Sequence, residues 1–99
     1  MESTREVLRR ERVYVKVTSV FDSTGYMLPQ SITWSDGRVF MIDEIKDFRP
    51  ADPHRNNTTT DCYTVIVRGE IKYLFFEKTL HRHSGHYGRW YVECLQKEQ

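Results

Sequence analysis

Three imidazoles crowd one short segment, His81-Arg82-His83-Ser84-Gly85-His86-Tyr87-Gly88. In an extended chain alternate side chains share a face, so His81 and His83 point the same way. His86 can fold back across Gly85. A three-histidine set holds zinc, nickel or copper and leaves one coordination position open for chemistry. No cysteine or carboxylate completes a recognised ligand spacing beside it, and the same residues read better as a polar, glycine-containing hairpin loop. We therefore expect adventitious nickel or copper binding rather than a resident metal, and we assign no cofactor. Below a pH of about 6.5 the three side chains would add positive charge to the loop.

The second chemical pattern is aromatic and basic. Tyr14, Trp34, Tyr73, Tyr87, Trp90 and Tyr91 interleave with Arg38, Lys72, Arg82 and Arg89. Small β barrels use such stacking platforms beside cations to hold single-stranded nucleic acid. Trp34, Arg38, Arg89 and Tyr91 are the residues assigned to that role. The competing assignment is structural, because a thin β core needs its aromatics inside.

Catalysis finds no support. A nucleophilic serine or cysteine needs a base within hydrogen-bond reach, and no such arrangement is visible. The glycines are single and turn-placed, so no phosphate-cradling loop exists. Asp43 and Glu44 are adjacent on an expected strand and point to opposite faces, which prevents them from acting as a pair. The chain reads as a non-enzyme.

The elements that position these residues are short alternating strands. Arg12 to Phe21 is the first, with Val13, Val15 and Val17 on one face and Tyr14, Lys16 and Thr18 on the other. The alternation slips at Ser19-Val20-Phe21, which predicts a bulge. Asp22-Ser23-Thr24-Gly25 is a turn. Leu28 to Trp34 follows, and Pro29 starts it at a sheet edge because proline donates nothing to a ladder. Ser35-Asp36-Gly37 turns the chain into a third strand, Arg38 to Lys46, apolar on both faces and so expected to be central.

Residues 47–61, with Pro50, Pro53, Asn56 and Asn57, read as a long surface loop. Cys62 to Arg68 and Ile71 to Glu77 form a hairpin around Gly69-Glu70, with glycine first, as in a type II′ turn. Arg89 to Leu95 is the last strand. Residues 1–11 form a charged arm, either a short helix capped by Ser3 and Glu6 or disordered. Residues 12–95 form the domain and residues 96–99 a polar tail. The predicted fold is all-β: about six antiparallel strands in a meander, curled into a partly open, SH3-like barrel.

Bulk properties bound what this domain can do. Ninety-nine residues make one core, and 13% aromatic content suits a thin β core. A formal charge of +1 lacks the basic excess of a duplex-DNA binder. No apolar run approaches the roughly 20 residues of a membrane span, and residues 1–12 lack a signal-peptide core. These features predict a cytoplasmic protein without membrane partners, with Cys62 and Cys94 reduced.

The blocks Leu28-Pro29-Gln30-Ser31-Ile32-Thr33-Trp34-Ser35-Asp36-Gly37-Arg38, Ile42-Asp43, Tyr73-Leu74-Phe75-Phe76-Glu77 and Arg89-Trp90-Tyr91-Val92-Glu93 together resemble a family of small uncharacterised bacterial β-domain proteins. The resemblance spans roughly residues 13–50 and 62–94. It implies no established activity. Some members are encoded near error-prone DNA polymerases, which implies a link to DNA transactions such as repair or translesion synthesis. The connection holding His81, His83 and His86 is short in that family, which implies that a metal there is no family property. The function expected is therefore a binding module. Its leading partner is another protein or a second copy of the chain, and the alternative is single-stranded nucleic acid.

Overall fold

Seven antiparallel strands build the molecule in a computed structural model that describes residues 8–51, 60–78 and 88–97. They are β1 (Leu8–Phe21), β2 (Met27–Thr33), β3 (Val39–Met41), β4 (Glu44–Arg49), β5 (Thr60–Val67), β6 (Glu70–Lys78) and β7 (Gly88–Lys97). Their order in the sheet is β3-β2-β1-β7-β6-β5-β4. No described residue is helical. The chain thus has no helix long and apolar enough to cross a membrane among its described residues.

The two edge strands, β3 and β4, are consecutive in the chain, and that connection curls the sheet. Ile42 donates its N–H to the Gln30 carbonyl at 2.9 Å, and Asp43 donates its own to the Ile66 carbonyl at 2.8 Å. Successive strand amides point in opposite directions, so these two residues bond to opposite ends of the sheet order. The result is an all-β, partly open barrel. Because the chain changes partner here, the single strand expected over Arg38 to Lys46 is in fact two. The first of them is also no central strand: Val39 is 54% and Met41 61% exposed.

Side-chain alternation decides which face becomes the interior. Val13, Val15 and Val17 are half-buried while Tyr14, Lys16 and Thr18 are exposed, as their spacing requires. On β5, Tyr63, Val65 and Val67 are buried and the residues between them are not. Ile32, Tyr63, Val65, Val67 and Leu74 form the core, with Val15, Val17, Phe40, Ile45 and Trp90 packed against it. The Tyr63 hydroxyl donates to the Met27 carbonyl at 3.0 Å, tying β5 to β2.

The punctuation follows side-chain chemistry. The β1–β2 register shifts between Thr18 and Ser19, where the alternation slips. Asp22 caps the next turn, accepting from the Thr24 N–H at 2.9 Å and the Tyr26 N–H at 3.0 Å. At Ser35-Asp36-Gly37 the Gly37 N–H reaches the Trp34 carbonyl at 2.9 Å, and Gly37 has φ +91°. Pro29 lies in the half of β2 that β3 does not reach, consistent with its missing donor.

Three further sequence expectations shift. β1 begins at Leu8, because Leu8 to Glu11 pair with Cys94 to Lys97 in a ribbon of the two strands. The charged arm and the polar tail assigned to these ends are therefore partly strand. β4 occupies 44–49 and β5 begins at Thr60, so the loop expected over 47–61 is shorter; residues 52–59 lie outside the described residues. The β5–β6 turn is Arg68-Gly69 rather than Gly69-Glu70, since Val67 pairs with Glu70. Both turn residues have positive φ, +53° and +77°, which is a type I′ rather than a type II′ turn.

Candidate functional site

Besides the gap between its edge strands β3 and β4, the sheet opens along a seam between two neighbouring strands. β6 and β7 are joined from Lys78–Gly88 to Phe75–Tyr91, and there the ladder stops. Both strands continue past that point. β6 stays paired to β5 back to Glu70, and β7 stays paired to β1 out to Lys97. The strands therefore diverge, and a groove of about 690 Å³ lies between them. Phe75 stacks on Tyr91 at the vertex, with ring centroids 4.9 Å apart and planes 14° apart. Ile32, Phe40, Val67 and Val92 line the groove, so it reaches into the core.

Backbone geometry makes the lips of this seam reactive toward another strand. In a two-residue hairpin the closing pair, Val67–Glu70, exchanges hydrogen bonds, and the pattern alternates from there. The N–H and C=O groups of Ile71 and Tyr73 thus aim away from β5 and into the seam. Across it, the same alternation from Tyr91 aims those of Glu93. The side chains of Ile71 and Tyr73 are 58% and 57% exposed. An apolar strand edge that is left open is a template for pairing.

Charge around the groove is nearly balanced, with one exception. Lys72 lies 3.2 Å from Glu70, and Arg10 lies 3.7 Å from Glu93. Arg68 has no carboxylate partner among the described residues. Its guanidinium sits 4.9 Å from the centre of the Phe40 ring, and the Arg38 guanidinium sits 5.5 Å from the same ring. Arg38 is neutralised by Asp36 at 2.6 Å. Arg68 is also the only described non-glycine residue with positive φ. That conformation costs an ordinary L residue about 1–2 kcal/mol, and asparagine or glycine would relieve it.

The residues assigned to nucleic-acid stacking do not form one surface. Trp34 and Arg38 belong to the β2–β3 turn, where Trp34 is half-buried and Arg38 is paired within the turn. Arg89 and Tyr91 lie on the outer face of β7. Arg89 lies 4.1 Å from the centre of the Tyr14 ring and donates to Glu77 at 3.1 Å. Tyr91 is only 4% exposed, covered by Arg12 at 4.6 Å, by the edge of Tyr14 and by Phe75. Burial holds its phenol above the ordinary tyrosine range.

Glu77 joins this outer-face cluster, accepting from Arg12 at 2.7 Å, Arg89 at 3.1 Å and Tyr14 at 3.2 Å. Partial burial pushes its carboxyl up, but the bonds from Arg89 and Tyr14 and the charge of Arg12 outweigh that and leave it below the ordinary range. The cluster is thus internally satisfied. His81, His83 and His86 lie outside the described residues, and among the described residues no group of three metal-ligating side chains converges. Cys62 and Cys94 are both free thiols, and burial raises that of Cys62.

No protein-family model, curated protein or solved structure matches the chain. The seam itself escaped sequence reasoning. Ile71 and Tyr73 read as one face of a hairpin strand, and nothing local says that the partner strand on the far side stops pairing at Tyr91.

Proposed function

We infer that this domain is a non-catalytic module that binds another protein by taking an extended segment of it into the β6–β7 seam. The observation that supports this reading is the termination of the ladder at Phe75–Tyr91 while both strands run on, with Ile71 and Tyr73 exposed on the lip. A strand added there gains backbone hydrogen bonds from the edges and side-chain contacts from the apolar groove. Since β6 and β7 are antiparallel, one inserted strand pairs antiparallel with one lip and parallel with the other.

The test is site-specific photo-crosslinking in the native host. A benzoylphenylalanine at Tyr73 should give a discrete adduct with a second protein, and Ile71→Arg on the same chain should abolish it. The same probe at Phe21, which is 72% exposed and away from the seam, should give none. Adducts that are equal at both positions, or indifferent to Ile71→Arg, refute the reading. An adduct of twice the chain mass identifies the partner as a second copy.

Single-stranded nucleic acid is the weaker reading, because Arg38 and Arg89 are already ion-paired and Tyr91 is covered. Oligonucleotide anisotropy at two salt concentrations tests it. Binding at or below micromolar that weakens with salt, and that falls on Arg89→Ala, would reinstate it.

A further inference from the structure

The seam also indicates what its occupant looks like, an inference that rests on the strand-docking reading above. Arg68 stands at the β5–β6 turn, which is the wide mouth of the seam, and it lines the groove. The other described charges around the groove are matched: Lys72 with Glu70, and Arg10 with Glu93. Arg68 alone is left with a guanidinium held against the Phe40 ring and facing no carboxylate among the described residues. The second guanidinium on that ring, from Arg38, brings its own counterion in Asp36. The groove therefore carries a surplus positive charge at one defined place.

The backbone at that place is strained. Arginine occupies a left-handed position, φ +53°, that an asparagine would fill at lower cost. Strained residues that persist in a fold concentrate at binding sites, and here the strain sets the guanidinium over the groove mouth.

We propose that the segment docked in the seam is apolar along the lip and carries an aspartate or glutamate side chain at the mouth, where its carboxylate pairs with Arg68. Arginine suits this role because its planar fork binds a carboxylate through two parallel bonds. The seam closes at Phe75–Tyr91, so a docked segment enters at the mouth, beside Arg68, and ends or bends away at that vertex.

The experiment is selection of the intact domain against a displayed library of random eight-residue segments, repeated with Arg68→Asn. Asparagine tolerates the left-handed turn, so this variant keeps the fold, which a thermal melt verifies. The wild-type domain should enrich segments with alternating apolar residues and one acidic residue at a fixed offset. Replacing that acid by its amide in a labelled synthetic copy should weaken binding tenfold or more. Arg68→Asn should still enrich the apolar alternation but lose the acid, and should bind the acid and amide copies equally.

Apolar segments without a fixed acid, or an acid preference that survives Arg68→Asn, overturn the role of Arg68 and leave strand docking standing. Failure to enrich any segment, or enrichment indifferent to Ile71→Arg, overturns the docking reading and this inference together.

Discussion

Leu74 and Ile71 stand three residues apart on β6, and the open seam predicts that truncating them has very different consequences. Leu74 is 0% exposed and sits in the core with Val65 and Tyr63. Cutting a fully buried leucine to alanine removes its transfer free energy and leaves a cavity, for a cost of about 3–5 kcal/mol. Ile71 is 58% exposed, so only about two-fifths of it is covered. Full burial of such a side chain is worth roughly 1.5–3 kcal/mol, which puts Ile71→Ala near 1 kcal/mol. Isoleucine has the higher β preference, and its loss works against this gap, so a difference of about 2 kcal/mol or more reports burial.

Urea unfolding followed by tryptophan fluorescence reads that difference directly. With a slope of about 1–2 kcal/mol per molar, the two midpoints should lie at least 1 M apart. Equal midpoints would mean that Ile71 is as covered in solution as Leu74. The exposed apolar lip would then not exist, and the reasoning built on it would fail.

Other substitutions probe the rest of the frame. Gly88→Ala should destabilise by about 1–3 kcal/mol in the same assay, because an added Cβ would lie 2.6 Å from both the Glu77 carbonyl oxygen and the Phe76 ring. Tyr63→Phe removes the bond to the Met27 carbonyl and should cost about 1 kcal/mol with no change in slope. Glu77→Gln should lower stability by up to about 1 kcal/mol at neutral pH, a figure kept small by solvent screening. Because the Glu77 carboxyl is held below its unfolded value, that contribution is fully present above about pH 5 and is lost as pH falls through the folded value. The gap between wild type and variant should therefore close in acid; a gap that widens in acid would refute the assigned sign.

Where turn chemistry is local, the sequence was readable. Asp22 and Gly25, Asp36 and Gly37, and the slip after Thr18 each announce a backbone event that the same residues enforce. Where the event depends on a remote partner it was not. The strand from Leu8 to Glu11 looks like a solvated arm, because three of its four residues are charged and its pairing with Cys94 to Lys97 spans nearly the whole chain. β4 is equally disguised: Asp47, Phe48 and Arg49 are exposed, so no apolar alternation marks them. The break at Ile42-Asp43 arises from two amides choosing different neighbours, which residue type does not encode. The seam belongs to this second kind, since it is an absence of pairing between two strands that each look ordinary.

The position of β7 bears on how the chain reaches this fold. The last described strand in the chain is the central one in the sheet, lying between β1 and β6. Without β7 the sheet divides into two three-stranded halves, β1–β2–β3 and β4–β5–β6, each with a bare edge that only this strand fills. Pairing Leu8 with Lys97 closes the largest loop available, so assembly is expected to be slow for a domain of this size. Until β7 arrives, the edge of β6 that later forms the seam is exposed along its whole length, a standing invitation to intermolecular pairing. The charges on the β1–β7 ribbon, Arg9, Arg10, Glu11 and Arg12 among them, then act as gatekeepers that keep half-made sheets apart.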